Sequence, residues 1–511
     1  MHPASPLLKG GFAGVAVVGV LLANFRERLV RNVFPDYGEP ADPIDMLLTD
    51  GRLFIAVGII FGVILLAVLW FALSWRMHSF RVTGEVVEVR SGILFRTNRK
   101  ARLDRIQGIN IERPLLARIF GVAKLEVSQA GQDANVQLAY LSSAAADELR
   151  AEVLMLASGA RAAHTPAADS DAAAHDSGAT LLDRRVSEFL APELDPKLVA
   201  AESVVTIHPG RLVGSILLSD STIFMVLAAA AMTTVVVMTG ELFALFALLP
   251  AAIGFVSFYA NRITKSLRYS IASTPDGVRV GFGLLSTTNE TLPPGRIHSV
   301  QVSQPLLWRL TGWWEVRVNR ASHSSTSGAA GQANTTILPV GDREDVLRVL
   351  ALLLPTLDDP HTRHLMATGL DAGRRAAPDG YTTSPRRAAY LRWFSWRRNG
   401  FAVTPQGTLL RRGAIWRSLT IVPAARAQSV SVSQGPLYRM SRLAKVAVHT
   451  VAGPISPRLG AMDADDALTF FRTVAELTVS SSTSDTSHRW RRDGEALPAD
   501  PPHEPGAEPA P

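Results

Sequence analysis

The hydrophobic residues of this chain fall into two patterns, long uninterrupted runs and short stretches in which apolar and polar residues alternate. The long runs occupy residues 7–25, 53–74, 221–238 and 242–259. A helix of about 20 apolar residues spans the ~30 Å hydrocarbon layer of a bilayer. The pattern therefore predicts four membrane helices, and the short joint at 239–241 makes the last two a helical hairpin.

The first two runs differ in how clearly they indicate a membrane helix. The first contains Lys9 and resembles a signal peptide in being basic and then apolar. Arg26-Glu27-Arg28 follows at once, where a signal peptide would have small residues for cleavage, and this favours a retained helix. The second run has no charged residue and ends beside Trp75 and Arg76, residue types that anchor a helix at the membrane interface.

The alternating stretches follow the second and fourth runs and recur after residue 390. Apolar residues alternate with polar ones around positions 109 and 111, 300 and 302, and 430 and 432. This period predicts strands with one buried face. A helical pattern follows each stretch, at 142–156, 343–354 and 463–477. Each unit is thus predicted to contain several antiparallel strands followed by one helix.

These stretches are copies of one another. The most similar segments are RIQGINIERPLLAR at 105–118, RIHSVQVSQPLLWR at 296–309 and RAQSVSVSQGPLYR at 426–439. The second lies 191 positions after the first, and the third lies 130 positions after the second. The same offsets relate Gly92, Gly283 and Gly413, so the match extends without a gap. A match of this length is an internal repeat of a small folding unit.

The repeat and the apolar runs predict eight segments. They are a first transmembrane hairpin at 1–75, a first unit at 76–157, a linker at 158–210, a second hairpin at 211–262, a second unit at 263–355, a linker at 356–389, a third unit at 390–478 and a disordered tail at 479–511. The linkers and the tail are rich in small and polar residues, which cannot bury enough apolar surface to fold.

Composition and charge agree with a membrane protein. Hydrophobic residues make up 47% of the chain and charged residues 19%, and there is no cysteine for disulfides or thiolate metal sites. The net charge of +7 is too small for its length to indicate nucleic-acid binding. Basic residues after the second and fourth helices place all three units in the cytoplasm by the positive-inside rule. Four arginines in the loop between the first two helices oppose that orientation: Arg26, Arg28, Arg31 and Arg52.

No catalytic motif was found. The chain has no phosphate-binding glycine loop, no zinc-protease HExxH and no GxSxG nucleophile motif. His361 and His364 form an HxxH pair in the second linker without a carboxylate partner, so the sequence does not predict a metal site there. We therefore expect no enzymatic activity, no cofactor and no metal.

Six arginines recur at equivalent places in the three copies. They are Arg105, Arg296 and Arg426 before the alternating strand, and Arg118, Arg309 and Arg439 after it. A guanidinium can bind a carboxylate or a phosphate, or it can hold a turn by donating to backbone carbonyls. Recurrence in every copy favours the structural role, in which each guanidinium bonds within its own unit.

A segment rich in aromatic residues and arginine stands where the third unit lacks a preceding hairpin. Trp393, Trp396 and Arg397 are its main members. Aromatic rings and cations suit the headgroup layer of a membrane, but they equally suit a seam that joins two units. The sequence leaves both interpretations open.

The repeat motif, the hairpins and the N-terminal segment from His2 to Leu8 resemble the bacterial pleckstrin-homology-like (PH-like) membrane proteins of the YdbS/YdbT type. The resemblance covers residues 1–477 apart from the linkers, and it departs at Gly435 and Arg442 in the third copy. It implies a membrane protein with transmembrane hairpins and three α+β PH-like domains, each a bent antiparallel barrel of about seven strands closed by a C-terminal helix. It also implies a YdbS-like single-domain membrane partner or self-association.

Three functions compete on these grounds. The first is a non-enzymatic scaffold that presents the PH-like domains for protein binding. The second is a sensor or handler of anionic lipid, with basic faces on the inner leaflet. The third, a transporter or a membrane enzyme, is weakest because the apolar runs hold no charged pairs that would mark a transport path and the chain has no catalytic motif.

Overall fold

The structure is a computed structural model that describes residues 62, 73, 77, 79–91, 96–129, 135–157, 203–239, 245–274, 277–284, 286–293, 295–321, 335–371 and 380–484. Several sequence predictions lie outside these residues. They are the helix at 7–25, the helix at 53–74 except for two single positions, most of the first linker, the end of the tail, and both Trp75 and Arg76.

The first unit contains six strands and two helices. They are β1 (Ser79–Val82), β2 (Val86–Ser91), β3 (Thr97–Arg102), β4 (Ile106–Arg113), α1 (Leu115–Ile119), β5 (Val122–Gln129), β6 (Val136–Ser142) and α2 (Ser143–Ala157). The Ser142 hydroxyl accepts a hydrogen bond from the Ala145 amide at 3.3 Å, which satisfies one free donor at the start of α2.

The stretch before the second unit contains one strand and three helices. They are β7 (Ser203–Thr206), α3 (Pro209–Leu217), α4 (Asp220–Thr239) and α5 (Leu245–Ser266). The predicted hairpin helices correspond to α4 and α5. Neither β7 nor α3 was predicted, because residues 203–217 were expected to be linker and the start of the hairpin.

The second unit repeats the order of the first. It contains β8 (Ser270–Thr274), β9 (Gly277–Phe282), β10 (Thr287–Leu292), β11 (Ile297–Gln304), α6 (Trp308–Thr311), β12 (Trp314–Arg320), β13 (Thr336–Gly341) and α7 (Arg343–Leu353). A reciprocal pair of hydrogen bonds between Asp342 and Asp345 caps α7 at its start.

The interval 356–389 is not the featureless linker that its composition suggested. It contains α8 (Pro360–Asp371), β14 (Thr382–Thr383) and α9 (Ala389–Arg392), although 372–379 lie outside the described residues. Leu365 and Leu370 of α8 are buried against the second unit's core. The burial of these few apolar residues, and not the average composition, decides whether the segment is ordered.

The third unit follows the same order again. It contains β15 (Gly400–Thr404), β16 (Gly407–Arg412), β17 (Arg417–Pro423), β18 (Ser429–Ser433), α10 (Pro436–Met440), β19 (Leu443–His449), β20 (Arg458–Asp463) and α11 (Ala464–Ser484). The helix α11 extends seven residues beyond the predicted end at Leu477.

The strands pair into four antiparallel sheets, and the two largest cross from one unit to the next. Their orders are β1-β2-β3, β6-β5-β4-β10-β9-β8-β7, β13-β12-β11-β17-β16-β15-β14 and β18-β19-β20. The second half of each unit therefore shares a sheet with the first half of the following unit. The resemblance implied about seven strands within each unit, whereas both seven-stranded sheets contain strands of two consecutive units.

Each unit nevertheless has its own core. In the first unit, Val87 and Ala101 of the first three strands pack with Ile109, Leu125 and Val153 of the later elements. The second core also takes in Leu419 and Ile421 of the third unit, since β17 lies beside β11. The two sheets that cross between units therefore connect the cores of consecutive units.

Helix α4 presents apolar side chains to its surroundings. Phe224 is 73% exposed and Val237 75% exposed, and the helix has no charged residue after Asp220. Within the described residues, no single helix has both the length and the hydropathy of a membrane span. Among these residues, only a pair of helices reaches the length and hydropathy of a span. The pair consists of α3 and the part of α4 up to Val235, with a bend of 47° between the two.

Candidate functional site: the joints between units

The two joints between units are made by equivalent strands in the same register. In the first joint β4 pairs with β10, and Ile111 lies opposite Asn289. In the second joint β11 pairs with β17, and Val302 lies opposite Leu419. Val302 is the repeat equivalent of Ile111, and Leu419 is the equivalent of Asn289. One rule of pairing therefore connects each unit to the next.

Two of the recurring arginines reach across these joints. The Arg118 guanidinium donates to the carbonyl oxygen of Leu284 in the second unit at 2.9 Å. Its equivalent, Arg309, donates to the carbonyl oxygen of Ala414 in the third unit at 3.2 Å. Leu284 and Ala414 are themselves equivalent positions. The prediction that each guanidinium bonds within its own unit is wrong for this pair, because the acceptor turn belongs to the following unit.

The other arginine series contacts the preceding unit. Arg296 donates to the carbonyl oxygen of Asp104 in the first unit at 2.9 Å. Its equivalent, Arg426, lies beside His298 of the second unit, where it affects the pKa of that imidazole. The first joint is thus bridged by arginine side chains from both units, whereas in the second joint Arg309 bonds across and Arg426 contacts His298 through its backbone.

The two arginines at the outer ends of the repeat differ from the rest. Arg105 has no unit before it and Arg439 has no unit after it in this chain. Both side chains are exposed, and neither makes a hydrogen bond or an ion pair with any residue that the structure describes. The arginines that contact a neighbouring unit are those that have a neighbour available.

A buried ion pair lies beside the first joint. Glu290 of β10 and Arg320 of β12 contact each other while both side chains are about 5% exposed or less. Burial raises the pKa of the Glu290 carboxyl, and the Arg320 charge opposes that rise. An ion pair removed from water is costly to break, because each buried charge loses the opposite charge that compensates for its desolvation.

The second joint contains an amide clamp and a half-buried histidine. Asn319 donates to the Ile455 carbonyl at 2.7 Å and accepts from the Ile455 amide at 3.0 Å, so one side chain satisfies two backbone groups of the third unit. Burial lowers the pKa of the His298 imidazole to about 4, and the Arg426 charge adds to the fall. Sequence reasoning missed Asn319, because its equivalents are Ser128 and His449 and no repeated residue type marks the position.

The third unit also contains an electropositive cleft of about 550 Å³. Four cationic side chains line it, and no carboxylate is among the described residues that do so. The cations are Arg392, Arg412, Lys445 and Arg458. Burial lowers the pKa of the Arg412 guanidinium, and repulsion from Arg458 and Arg392 lowers it further. Like charges held together without a counter-charge favour an anionic ligand.

The rim of this cleft touches the predicted membrane hairpin. The Trp416 indole lines the cleft and donates to the carboxylate of Asp220 at 2.9 Å. Asp220 is the first residue of α4. The cleft therefore opens close to the point where the apolar helix begins.

The aromatic segment of the third unit divides into two parts. Trp393 is 71% exposed and its ring contacts the tilted ring of Phe394, whereas Trp396 packs against a small cluster formed by Ala388, Leu443 and Ala461. The Arg397 guanidinium lies over the Trp396 ring at 5.1 Å. The described contacts of Trp396 fall within the third unit, and Trp393 remains a candidate for the membrane interface.

Nothing in the described part of the chain groups three residues in a way that would hold a metal ion. His361 and His364 lie on α8.

The family model for the bacterial PH domain matches the chain three times, at residues 35–157, 212–355 and 379–478. Neither a curated protein nor a solved structure matches the chain. The three matches follow the three strand-and-helix units and together include more than two thirds of the sequence. The chain belongs to the bacterial PH domain family.

Proposed function

We propose that this protein is a membrane-anchored, non-enzymatic scaffold of the YdbT type, which assembles with protein partners through the strand edges of its PH-like units. The observation that supports this is the joint itself. Both joints use backbone pairing in one register, together with arginines that are also repeated. A strand edge that already binds one PH-like unit is suited to bind another.

Membrane anchoring is supported by the exposure of α4. A 20-residue helix that exposes large apolar side chains such as Phe224, Leu227 and Val237 is costly to hydrate and suits a lipid environment. Arg262 and Arg268 follow the apolar part of α5, which favours a cytoplasmic position for the units. A single-domain YdbS-like membrane protein and a second copy of this chain are the proposed partners.

The scaffold function is tested by purifying the tagged chain from native membranes in mild detergent at low and at high salt. A partner bound through backbone pairing and apolar contacts should remain at high salt, whereas a partner bound by basic surfaces should be lost. Reporter fusions after residues 160, 375 and 490 should all behave as cytoplasmic. A periplasmic signal at 160 would reverse the orientation, and the absence of any salt-resistant partner would refute the scaffold.

A second candidate function is binding of an anionic lipid headgroup, and the electropositive cleft favours it. Its four cations lack a counter-charge among the described residues that line it, and its rim contacts the start of α4. A phosphate group placed there would be near the headgroup layer if α4 enters the bilayer. The exposed ring of Trp393 lies next in sequence to Arg392 of the cleft.

Titration of the purified chain with short-chain phosphatidylglycerol, phosphatidylcholine and inorganic phosphate tests this function. We expect binding of the anionic lipid alone or of both anions, and a steep loss of affinity with salt. Arg412→Gln with Arg458→Gln should abolish the binding, whereas the exposed Arg472→Gln, on α11, should not. Equal binding of phosphatidylcholine would rule out charge recognition.

A further inference from the structure

We propose that copies of this chain join head to tail, with the free edge of β18 in one copy paired to the free edge of β3 in the next. This inference rests on the proposed scaffold function and names its partner as a second copy. The pairing would be a third example of the joint that the chain already makes twice.

The first and the third unit each have one joint-forming strand whose outer edge is not used within the described part of the chain. Within each joint, the fourth strand of one unit pairs with the third strand of the next. The third strand of the first unit, β3, and the fourth strand of the third unit, β18, are each at the edge of a three-stranded sheet. Among the described residues, no strand pairs with the outer edge of either.

The two edge strands, β3 and β18, are more exposed than the equivalent strands inside the joints. All residues of β10 and β17 are buried or half-buried, whereas every residue of β3 except Ala101 is exposed. Most residues of β4 and β11 are buried, whereas β18 has exposed ends and a half-buried middle. Exposed strand edges are templates for pairing with another chain.

The repeat fixes the register of the proposed pairing. The equivalents of Ile111 and Asn289, which lie opposite each other in the first joint, are Val432 and Asn98 at the free edges. The same shift places Val430 opposite Lys100. The five residues of β18 then match Thr97 to Ala101, within the observed limits of both strands. The dipeptide Thr97-Asn98 of β3 also recurs as Thr288-Asn289 in β10.

One of the two outer arginines gains an acceptor in this arrangement. Arg296 donates to the Asp104 carbonyl, and the equivalent of Asp104 in the third unit is Ala425, which would accept from Arg105 of the next copy. The exposed Arg105 would therefore bridge two copies as Arg296 bridges two units.

The contact is heterologous, since different edges of the two copies meet. Such a contact generates a ring when the rotation closes and a filament when it does not. Three cations of β3, Arg99, Lys100 and Arg102, would deter pairing with unrelated edges. The proposed partner strand, β18, has no acidic residue to pair with these cations. Correct pairing therefore depends on the register and on the contact of Arg105.

Disulfide trapping tests the register, since the natural chain has no cysteine. Full-length chains with Asn98→Cys and with Val432→Cys carry different tags and are mixed in detergent under mild oxidation. We expect a mixed dimer, because directly opposite residues hold their Cβ atoms about 4.5–5.5 Å apart. Arg99→Cys with Val432→Cys is the matched control, and a one-residue slip places these side chains on opposite faces. Equal trapping of both pairs would overturn the proposed register.

A second test changes the charge at one predicted residue pair and measures the yield of oligomer, without introducing any cysteine. Ser431 is predicted to lie opposite Arg99, so Ser431→Glu should raise the yield of oligomer by up to about fivefold and Ser431→Arg should lower it. Arg105→Ala should also lower the yield, and Arg472→Ala should leave it unchanged. Identical yields for the Glu and Arg variants would count against the pairing.

Failure of this inference can be separated from failure of the scaffold function. If no mixed dimer forms while a different protein is retained at high salt, the head-to-tail inference is refuted and the scaffold stands. If neither is observed, both are refuted.

Discussion

Protonation of His298 should weaken the joint between the second and third units. His298 lies on β11, and its imidazole faces Arg426 of the third unit and Arg296 of its own. Burial is the main reason that its pKa falls from the ordinary 6.5 to about 4, and the two guanidinium charges add to the effect. A hydrogen bond to the Arg426 backbone acts in the opposite direction but does not cancel it.

The magnitude follows from the two pKa values. Below pH 6.5 the unfolded chain binds a proton at His298, whereas the folded chain binds it only near pH 4. Stability is therefore full above pH 6.5 and is lost as the pH falls towards 4. At 1.36 kcal/mol per pH unit the loss approaches about 3 kcal/mol, and partial exposure of the ring reduces it to about 2 kcal/mol.

The measurement is urea unfolding of the detergent-purified chain between pH 8 and 4, for the natural protein and for His298→Gln. Glutamine is uncharged at every pH, so the variant should lose about 2 kcal/mol less over this range. His361→Gln, at an exposed position on α8, is the matched control and should follow the natural protein. Parallel curves for the natural chain and His298→Gln would refute the assigned role of this imidazole.

Three further substitutions have expected outcomes, each measured by urea or thermal unfolding. Arg309→Ala should cost about 1 kcal/mol, because the Ala414 carbonyl loses its donor. Arg442→Gly should stabilise the chain by about 0.5–1 kcal/mol, since Arg442 has a left-handed φ of 50° that glycine adopts freely. Glu290→Ala should cost about 3–5 kcal/mol, because the buried Arg320 would lose its carboxylate partner. Arg439→Ala is the control for Arg309→Ala and should leave the stability of the monomer unchanged. Gly312→Ala is the control for Arg442→Gly and should destabilise the chain, because Gly312 also has a left-handed φ. Arg317→Ala, which removes an exposed ion pair, is the control for Glu290→Ala and should change the free energy of unfolding by under about 1 kcal/mol.

The repeat and the composition of each unit were readable from the chain. Alternation around 109, 300 and 430 specifies strands with one buried face, and the structure has β4, β11 and β18 there. The starts of α2 and α7 were also predictable, since a capping residue satisfies free backbone donors locally. The repeat also predicts backbone conformation where the residue type has changed. Arg442 has the same left-handed backbone as its equivalents Gly121 and Gly312.

The pairing of strands between units was decided only by the tertiary structure. A strand such as β4 offers the same backbone groups and the same buried face whether its neighbour is β3 or β10, so its sequence cannot select the partner. Arg118 and Arg309 were recognisable as recurring, but their acceptors belong to turns 166 and 105 residues away. Residue type and spacing determine local structure through short-range contacts, whereas the choice among distant edges depends on how three cores pack together.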